Sequence, residues 1–382
     1  MNAKIKLAAI AVLVALFTQH PAAAREHRAE KTIVKSFDAR AGHDLAIDHK
    51  FGNVNIVNWD RNEVYFSIEI EVESDSESKT REKLSKIDVV FSQSGKRIEA
   101  RTVFEQYDCN NCNIKITYNV SVPRGINLKL QCQYGNVKIP NIEGTAEINL
   151  KYGNLNGESL GGNSNDLNVN YGNIKLSGDI TGASNINIKY GNFEAENLPD
   201  EQSVFDIAYG NASFKKTGKA RFSVKYSNVK LTEVKEMEIE SAYSKFKADK
   251  AGSIRASAKY DKYSIGAADR IKGSLSYVDL QVGNLNESLT VEQVKYGHVN
   301  VNKVARNFES IRIDAAYTNI HLGFDRNASF SSDMHTSYGS INVDSAFGTK
   351  TKKDKDEYLQ TNSGKAAVKI ENKHADITIA TQ

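Results

Sequence analysis

The chain has 382 residues, with 50 Lys+Arg against 47 Asp+Glu and a formal charge of +3. At 25% charged and 40% hydrophobic residues, it is neither a disordered chain nor a multi-span membrane protein. So small a charge excess also argues against a dedicated nucleic-acid binder. Tyr (17) and Gly (25) are plentiful while Pro (4) is scarce, and this imbalance proves to be the main clue.

Residues 1–24 read as a secretory signal: Lys4 and Lys6, a short apolar run to Phe17, then Ala22-Ala23-Ala24 before Arg25. The run is too short to span a bilayer, and no later segment is long and apolar enough to do so. Removal would leave 382 − 24 = 358 residues in an exported protein of the periplasm, the cell surface or the medium. Residues 25–125 carry longer period-two strands, Val64 to Val72 and Ile114 to Val122, with a charged stretch from Ser76 to Ser85 that suits one short helix. This region is expected to be a β-rich cap sealing one end of a downstream array. Export makes disulfides possible. Cys109, Cys112 and Cys132 allow one local bridge, Cys109–Cys112 or Cys112–Cys132, with one thiol left over. A structural zinc site would need a second ligand pair, which the sequence lacks.

From residue 126 a repeat takes over. Its marker is Tyr-Gly-Asn: Tyr134-Gly135-Asn136, then Tyr152, Tyr171, Tyr190 and Tyr209, with Asn154, Asn173, Asn192 and Asn211 in the third place. The motif then loosens but keeps its Tyr at Tyr226, Tyr243, Tyr260, Tyr277, Tyr296, Tyr317 and Tyr338, so 12 of the 17 tyrosines fall in one column at steps of 17 to 21 residues. His374 takes the Tyr place in one further copy, and Phe51-Gly52-Asn53 is an early one. Before each marker apolar residues alternate, as in Ile186 and Ile188; after it they resume out of phase, as in Ile174 and Leu176. Period two means strands with one buried face. The phase slip demands a corner, expected at Gly-Asn because these residues tolerate left-handed backbone. Strand, corner, strand and turn describe a single-stranded, all-β solenoid of about 13 rungs stacked about 4.8 Å apart. An exposed row of tyrosines could stack on sugar rings, but the Tyr column shares its phase with Ile, Leu and Val, so its rings are expected in the core, with the Asn column forming an amide ladder. The array is assigned to 126–347, followed by a charged loop at 348–364 and the last rung at 365–382.

The signal, the β-rich head, Val122-Pro123-Arg124-Gly125 leading into the array and the recurring Tyr-Gly-Asn rungs resemble the bacterial "putative adhesin" β-solenoid domains, and are similar to autotransporter adhesin head domains. The resemblance spans nearly the whole chain after the signal. It implies adhesion and supplies no catalytic residues. No translocator barrel is expected, since the array uses the chain up.

The outward positions carry lysine. Lys151, Lys189, Lys225, Lys259 and Lys295 precede the Tyr, and Lys138, Lys175, Lys230 and Lys247 follow the corner. Together they predict a stripe suited to an anionic polymer, or a solvated face that blocks edge association. Clustered carboxylates of a polysaccharide-cleaving β-helix are absent from these columns, and the histidines fall at different phases, so no metal, cofactor or catalytic residue is assigned. The reading is a non-catalytic, adhesin-like structural or interaction protein of the cell envelope. Its expected partner is envelope polysaccharide or another surface protein, not nucleic acid, and its oligomeric state stays open. The alternatives are a carbohydrate-active β-helix enzyme and a periplasmic accessory protein in envelope signalling or stress.

Overall fold

A computed structural model describes residues 12–13, 27–105, 111–362 and 364–382. The expected signal otherwise lies outside the described residues; Val12–Leu13 forms a short strand against Ile33 and Thr32. Strands account for 71% of the structure and helix for 3%, and the strands wind into a β-solenoid of about 10 turns. That is fewer than the thirteen rungs counted from the aromatic column. Antiparallel pairing occurs in the expected cap region, Glu63–Ser74 with Cys112–Val122, and near the C-terminal end, Phe330–Ser337 with Asp356–Asn362. The chain divides into two compact units, Met1–Ala195 and Glu196–Gln382.

In the first unit, His27–Asp38, Glu63–Ser74 and Cys112–Val122 form an antiparallel sheet, and Ile87–Ser94 with Arg97–Phe104 form a hairpin. The expected helix is Glu77–Ser85. Ion pairs one turn apart, Glu77 with Arg81 and Glu82 with Lys86, support it. Buried Thr80 pins it through a 2.7 Å hydrogen bond to Ser74. The solenoid starts inside the region expected to be cap. Asp44–Lys50 runs parallel to Asn127–Gln133 on one side and Arg97–Phe104 on the other. Val54–Asn58 likewise lies between Val137–Ile139 and Cys112–Val122. Cap strands therefore pair directly with the open edges of the Phe51 rung, which would otherwise be exposed to association. Later rungs repeat this arrangement in register, Ala146–Lys151 on Ser164–Asn170 on Ala183–Lys189. Buried Ile142, Leu160 and Ile180 close the turn side of each coil.

In the second unit each 17-residue rung becomes one long strand: Asn211–Lys225, Asn228–Ala242, Lys245–Lys259, Lys262–Ser276. Two successive outward residues mark each corner, as at Lys215–Lys216 and again at Lys225–Tyr226, while Phe205, Phe214 and Phe222 stack inside.

The C-terminal part departs from expectation twice. The charged 348–364 stretch is a β-hairpin, Thr351–Lys353 with Asp356–Asn362, and its second strand pairs antiparallel with Phe330–Ser337. Its composition suggests a loop, but Leu359 faces the core and Glu357, equally buried, is held by Lys350 at 2.9 Å and by the Ile341 N–H at 2.7 Å. The segment at 365–382 is not the last rung in space. Ala366–Lys373 inserts in parallel between Ser310–Phe324 and Phe330–Ser337. The hairpin reverses the chain, so the final strand returns to a slot one rung earlier.

Candidate functional site: the tyrosine corner

The corner is built on left-handed backbone, and the tyrosine carries it. All twelve column tyrosines have φ between 51° and 60°, joined by Phe51 at 66° and His374 at 60°. The glycines after them do not, apart from Gly52 at 138°. A positive φ swings the side chain off the strand's alternation, so the expectation of buried rings is wrong. The column tyrosines are 42–57% exposed, whereas Tyr118 and Tyr263, which lie off the column, are buried. The left-handed conformation costs roughly 1–2 kcal/mol for an L-residue. Two things offset it. Tyr N–H groups along the column still join the ladder, as Tyr134 to the Lys151 carbonyl at 2.9 Å and Tyr243 to that of Lys259 at 3.0 Å. The rings also stack face to face, and such a pair contributes about 0.5–1.5 kcal/mol beyond burial. In the first unit Phe51, Tyr134, Tyr152, Tyr171 and Tyr190 follow one another at 4.8–5.4 Å. In the second unit Tyr209 to Tyr317 stack at 4.6–5.1 Å, and His374 sits between Tyr317 and Tyr338 at 4.7 and 4.8 Å. Both faces of an interior ring are therefore covered, and what it offers solvent is its edge and hydroxyl.

Glycine follows tyrosine for a different reason from the one expected. A Cβ on Gly153 or Gly172 would stand 1.9 or 1.7 Å from the carbonyl oxygen of the preceding rung's glycine. No side chain fits there, so this is close approach rather than backbone freedom. The Asn column forms the predicted amide ladder in the first unit. Asn154, Asn173 and Asn192 each donate backbone and side-chain N–H groups to the Oδ1 of the Asn one rung earlier, at 2.8–3.0 Å.

Where the motif loosens in the second unit, the residue after Tyr points inward as an acceptor. Ser227 Oγ accepts from Gly210 N–H, Ser244 Oγ from Ser227 N–H at 3.2 Å, and Asp261 Oδ1 from Ser244 N–H at 2.5 Å. Burial pushes the Asp261 carboxyl above the usual carboxylate range, opposed by the hydrogen bonds from Ser241, Ser244 and Lys259. These residues floor a groove of about 980 Å³. Tyr226 to Tyr317 form one wall; Asn228, Lys245, Lys262, Asp279, His298 and Asn319 form the other. Asp279 accepts a 2.9 Å contact from His298 Nδ1. Lys245 and Lys262 escaped notice in the sequence, although they occupy the Asn place of Tyr243-Ser244-Lys245 and Tyr260-Asp261-Lys262.

All nine lysines of the predicted stripe are exposed. Lys175 pairs with Glu194 at 3.2 Å and Lys151 lies over the Tyr152 ring at 5.4 Å. Among the described residues, Lys138, Lys189, Lys225, Lys230, Lys247, Lys259 and Lys295 make no ion pair. Elsewhere on the second unit the opposite rule holds: Lys216–Glu233, Lys219–Glu236, Arg221–Glu238 and Arg270–Glu287 neutralise each other across one rung.

Cys112 is disulfide-bonded and Cys132 is a free buried thiol, which removes the Cys112–Cys132 alternative. Cys109 lies outside the described residues. Burial pushes the Cys132 thiol up to about 12. Beside it in register is His49, whose imidazole burial lowers to about 4. Its Nδ1 meets Thr102 Oγ1 at 3.3 Å, and Thr102 in turn bonds the Tyr118 hydroxyl at 2.8 Å. At the C-terminal end His335 Nδ1 contacts Glu371 at 3.0 Å and its Nε2 lies 3.4 Å from Ser337 Oγ. Ser337, however, donates its proton to Asp356 at 2.6 Å, so the hydroxyl is not poised on the imidazole as a nucleophile would be. Among the described residues no group of three His, Cys, Asp or Glu side chains is placed to hold a metal ion.

Residues 42–380 match the Toastrack family, DUF4097. The chain belongs to this family. No curated protein matches it. Among solved structures it is similar to a "putative cell adhesion protein" from Clostridium sporogenes, at 10% identity over 94% of this chain and 100% of that one, TM-score 0.16. A "putative lipid binding protein" from Parabacteroides distasonis is 12% identical over 76% and 96%, TM-score 0.22. A "putative adhesin" from Bacteroides fragilis is 12% identical over 92% and 97%, TM-score 0.18.

Proposed function

We propose that this Toastrack protein is an exported, non-catalytic, adhesin-like interaction module of the bacterial cell envelope, and that the tyrosine corner is its contact surface. The observation that carries this reading is the repetition, in register, of outward tyrosine edges flanked by lysines without acidic partners. Identical weak contacts at a fixed one-rung spacing favour an extended partner, because after the first contact each further one forms at high effective concentration. Stacking hides the ring faces, so the corner offers hydrogen bonds and charge rather than aromatic platforms for sugar rings.

The test is fractionation of the producing cell together with binding of purified protein to intact cells. Protein at the outer surface or in the medium that binds cells supports the proposal. Protein confined to the soluble periplasm refutes it, since such a protein cannot touch another cell. Hydrolysis or elimination of an envelope polysaccharide by the purified protein would refute its non-catalytic part.

A further inference from the structure

We propose that the groove of the second unit binds a linear acidic polysaccharide, whose acid groups pair with Lys230, Lys245, Lys247 and Lys262. This deepens the interaction-module reading and rests on it.

The four lysines form a compact lattice fixed by strand register. Lys230 is the Cα partner of Lys247 on the next rung, and Lys245 is that of Lys262. Adjacent rungs are about 4.8 Å apart, and Lys245 and Lys247, two residues apart on one strand, are separated by about 6.8 Å. Four exposed ammonium stems thus rise from three rungs, and among the described residues none has an acidic partner. Like charges so placed repel one another, and in the free protein solvent and salt screen them. On the same strands the chain sets Glu233 against both Lys216 and Lys250, and Glu238 against Arg221. Acid is therefore available at this spacing, yet none pairs with these four lysines: of the groove's own acids, Asp261 is buried in the floor and Asp279 is held by His298, which leaves the place of the counter-charge to a ligand.

The shape of the groove selects a linear ligand. It runs along six tyrosines, Tyr226 to Tyr317, five rung intervals or about 24 Å. Its chemistry selects sugar. Tyrosine hydroxyls on one wall and the Asn228 and Asn319 amides on the other both donate and accept, as sugar hydroxyls do. A single-stranded nucleic acid would need open aromatic faces for its bases, and here the neighbouring rings cover them at 4.6–4.9 Å. A lipid tail would need an enclosed apolar slot, and this groove is open to solvent above a floor of Ser227, Ser244 and Asp261. Asp279 follows Lys262 in the same column, so the acidic part of the ligand ends there and its uncharged hydroxyls face Asp279 and His298.

The experiment measures binding of the full chain to fluorescent oligogalacturonate and to dextran sulfate, with neutral dextran and an oligothymidylate as comparators. The variants are K230Q/K245Q/K247Q/K262Q and a control on the paired face, K216Q/K219Q. Far-ultraviolet circular dichroism and the urea midpoint verify that both fold. Exposed charge pairs are worth about two- to threefold each, so the quadruple variant should lose about thirtyfold, the control less than twofold. Binding should weaken with salt, and dextran should not bind. Three outcomes would overturn the proposal: no binding of either acidic glycan at low salt, equal binding by the quadruple variant, or oligothymidylate bound as tightly. Each removes this site while leaving the broader envelope role to be decided by fractionation and cell binding.

Discussion

Replacing Tyr243 tests the account of the corner most directly. Its ring stacks on Tyr226 at 4.9 Å and on Tyr260 at 4.8 Å, it is 51% exposed, and its φ is 54°. In Tyr243→Ala two stacked pairs are lost, about 1–3 kcal/mol together, while alanine still sits in the left-handed region at full cost. No cavity forms, because the ring borders solvent. The expected loss is therefore about 2 kcal/mol rather than the 3–5 kcal/mol of an aromatic removed from a core. Tyr243→Gly loses the same stacks but relieves roughly 1–2 kcal/mol of backbone strain, less the 0.4–1 kcal/mol or so by which glycine's freedom favours the unfolded chain. Glycine should thus be less harmful than alanine by about 0.5–1 kcal/mol, with Asn close to glycine. Urea unfolding of the three variants side by side, followed by circular dichroism, measures the order. A loss above 4 kcal/mol for alanine, or alanine milder than glycine, would refute the exposed, left-handed tyrosine.

Three further outcomes are expected of the same structure. Gly153→Ala places a methyl 1.9 Å from the Gly135 carbonyl oxygen. It should cost more than 3 kcal/mol or prevent folding, whereas Gly42→Ala, with open space around it but φ of 79°, should lose only about 1 kcal/mol; expression yield and urea midpoints compare them. For His49, burial lowers the folded pKa to about 4 from 6.5. The neutral form is thus favoured in the fold, stability is full above pH 6.5, and it falls by roughly 3 kcal/mol as pH drops from 6.5 to 4; His49→Leu should flatten this part of the stability–pH curve. The Cys132 thiol, buried and pushed up to about 12, should resist iodoacetamide in the native protein at pH 8 and react fully in denaturant, as read by mass spectrometry.

The period-two strands, the repeat and the in-register stacking were legible because each depends on side-chain chemistry repeated along the chain. Ile148, Leu167 and Ile186 had to share a face, and they do so as direct Cα partners. The amide ladder followed from the same regularity. The lysine columns were legible as outward positions. Their lack of acidic partners was not, because it depends on which residue lies one rung away. The groove wall of Lys245 and Lys262 required knowing that the third motif place faces outward even when Asn is lost.

What the sequence determined by itself is the period: strands of one buried face, a corner every 17 to 21 residues, and like residues brought above like. Tertiary structure alone decided two things. The first is the direction of the tyrosines. A left-handed φ changes which way one side chain points without altering the spacing of any residue, so the corner expected at Gly-Asn falls on Tyr instead, while contacts with the neighbouring rung's backbone leave no room for a Cβ at glycine. The second is the order of the rungs at the C-terminal end. There His374 lies between Tyr317 and Tyr338, because an antiparallel hairpin sends the last strand back into an earlier slot. Register between strands distant in sequence is set by which edges remain open, and no local pattern records that.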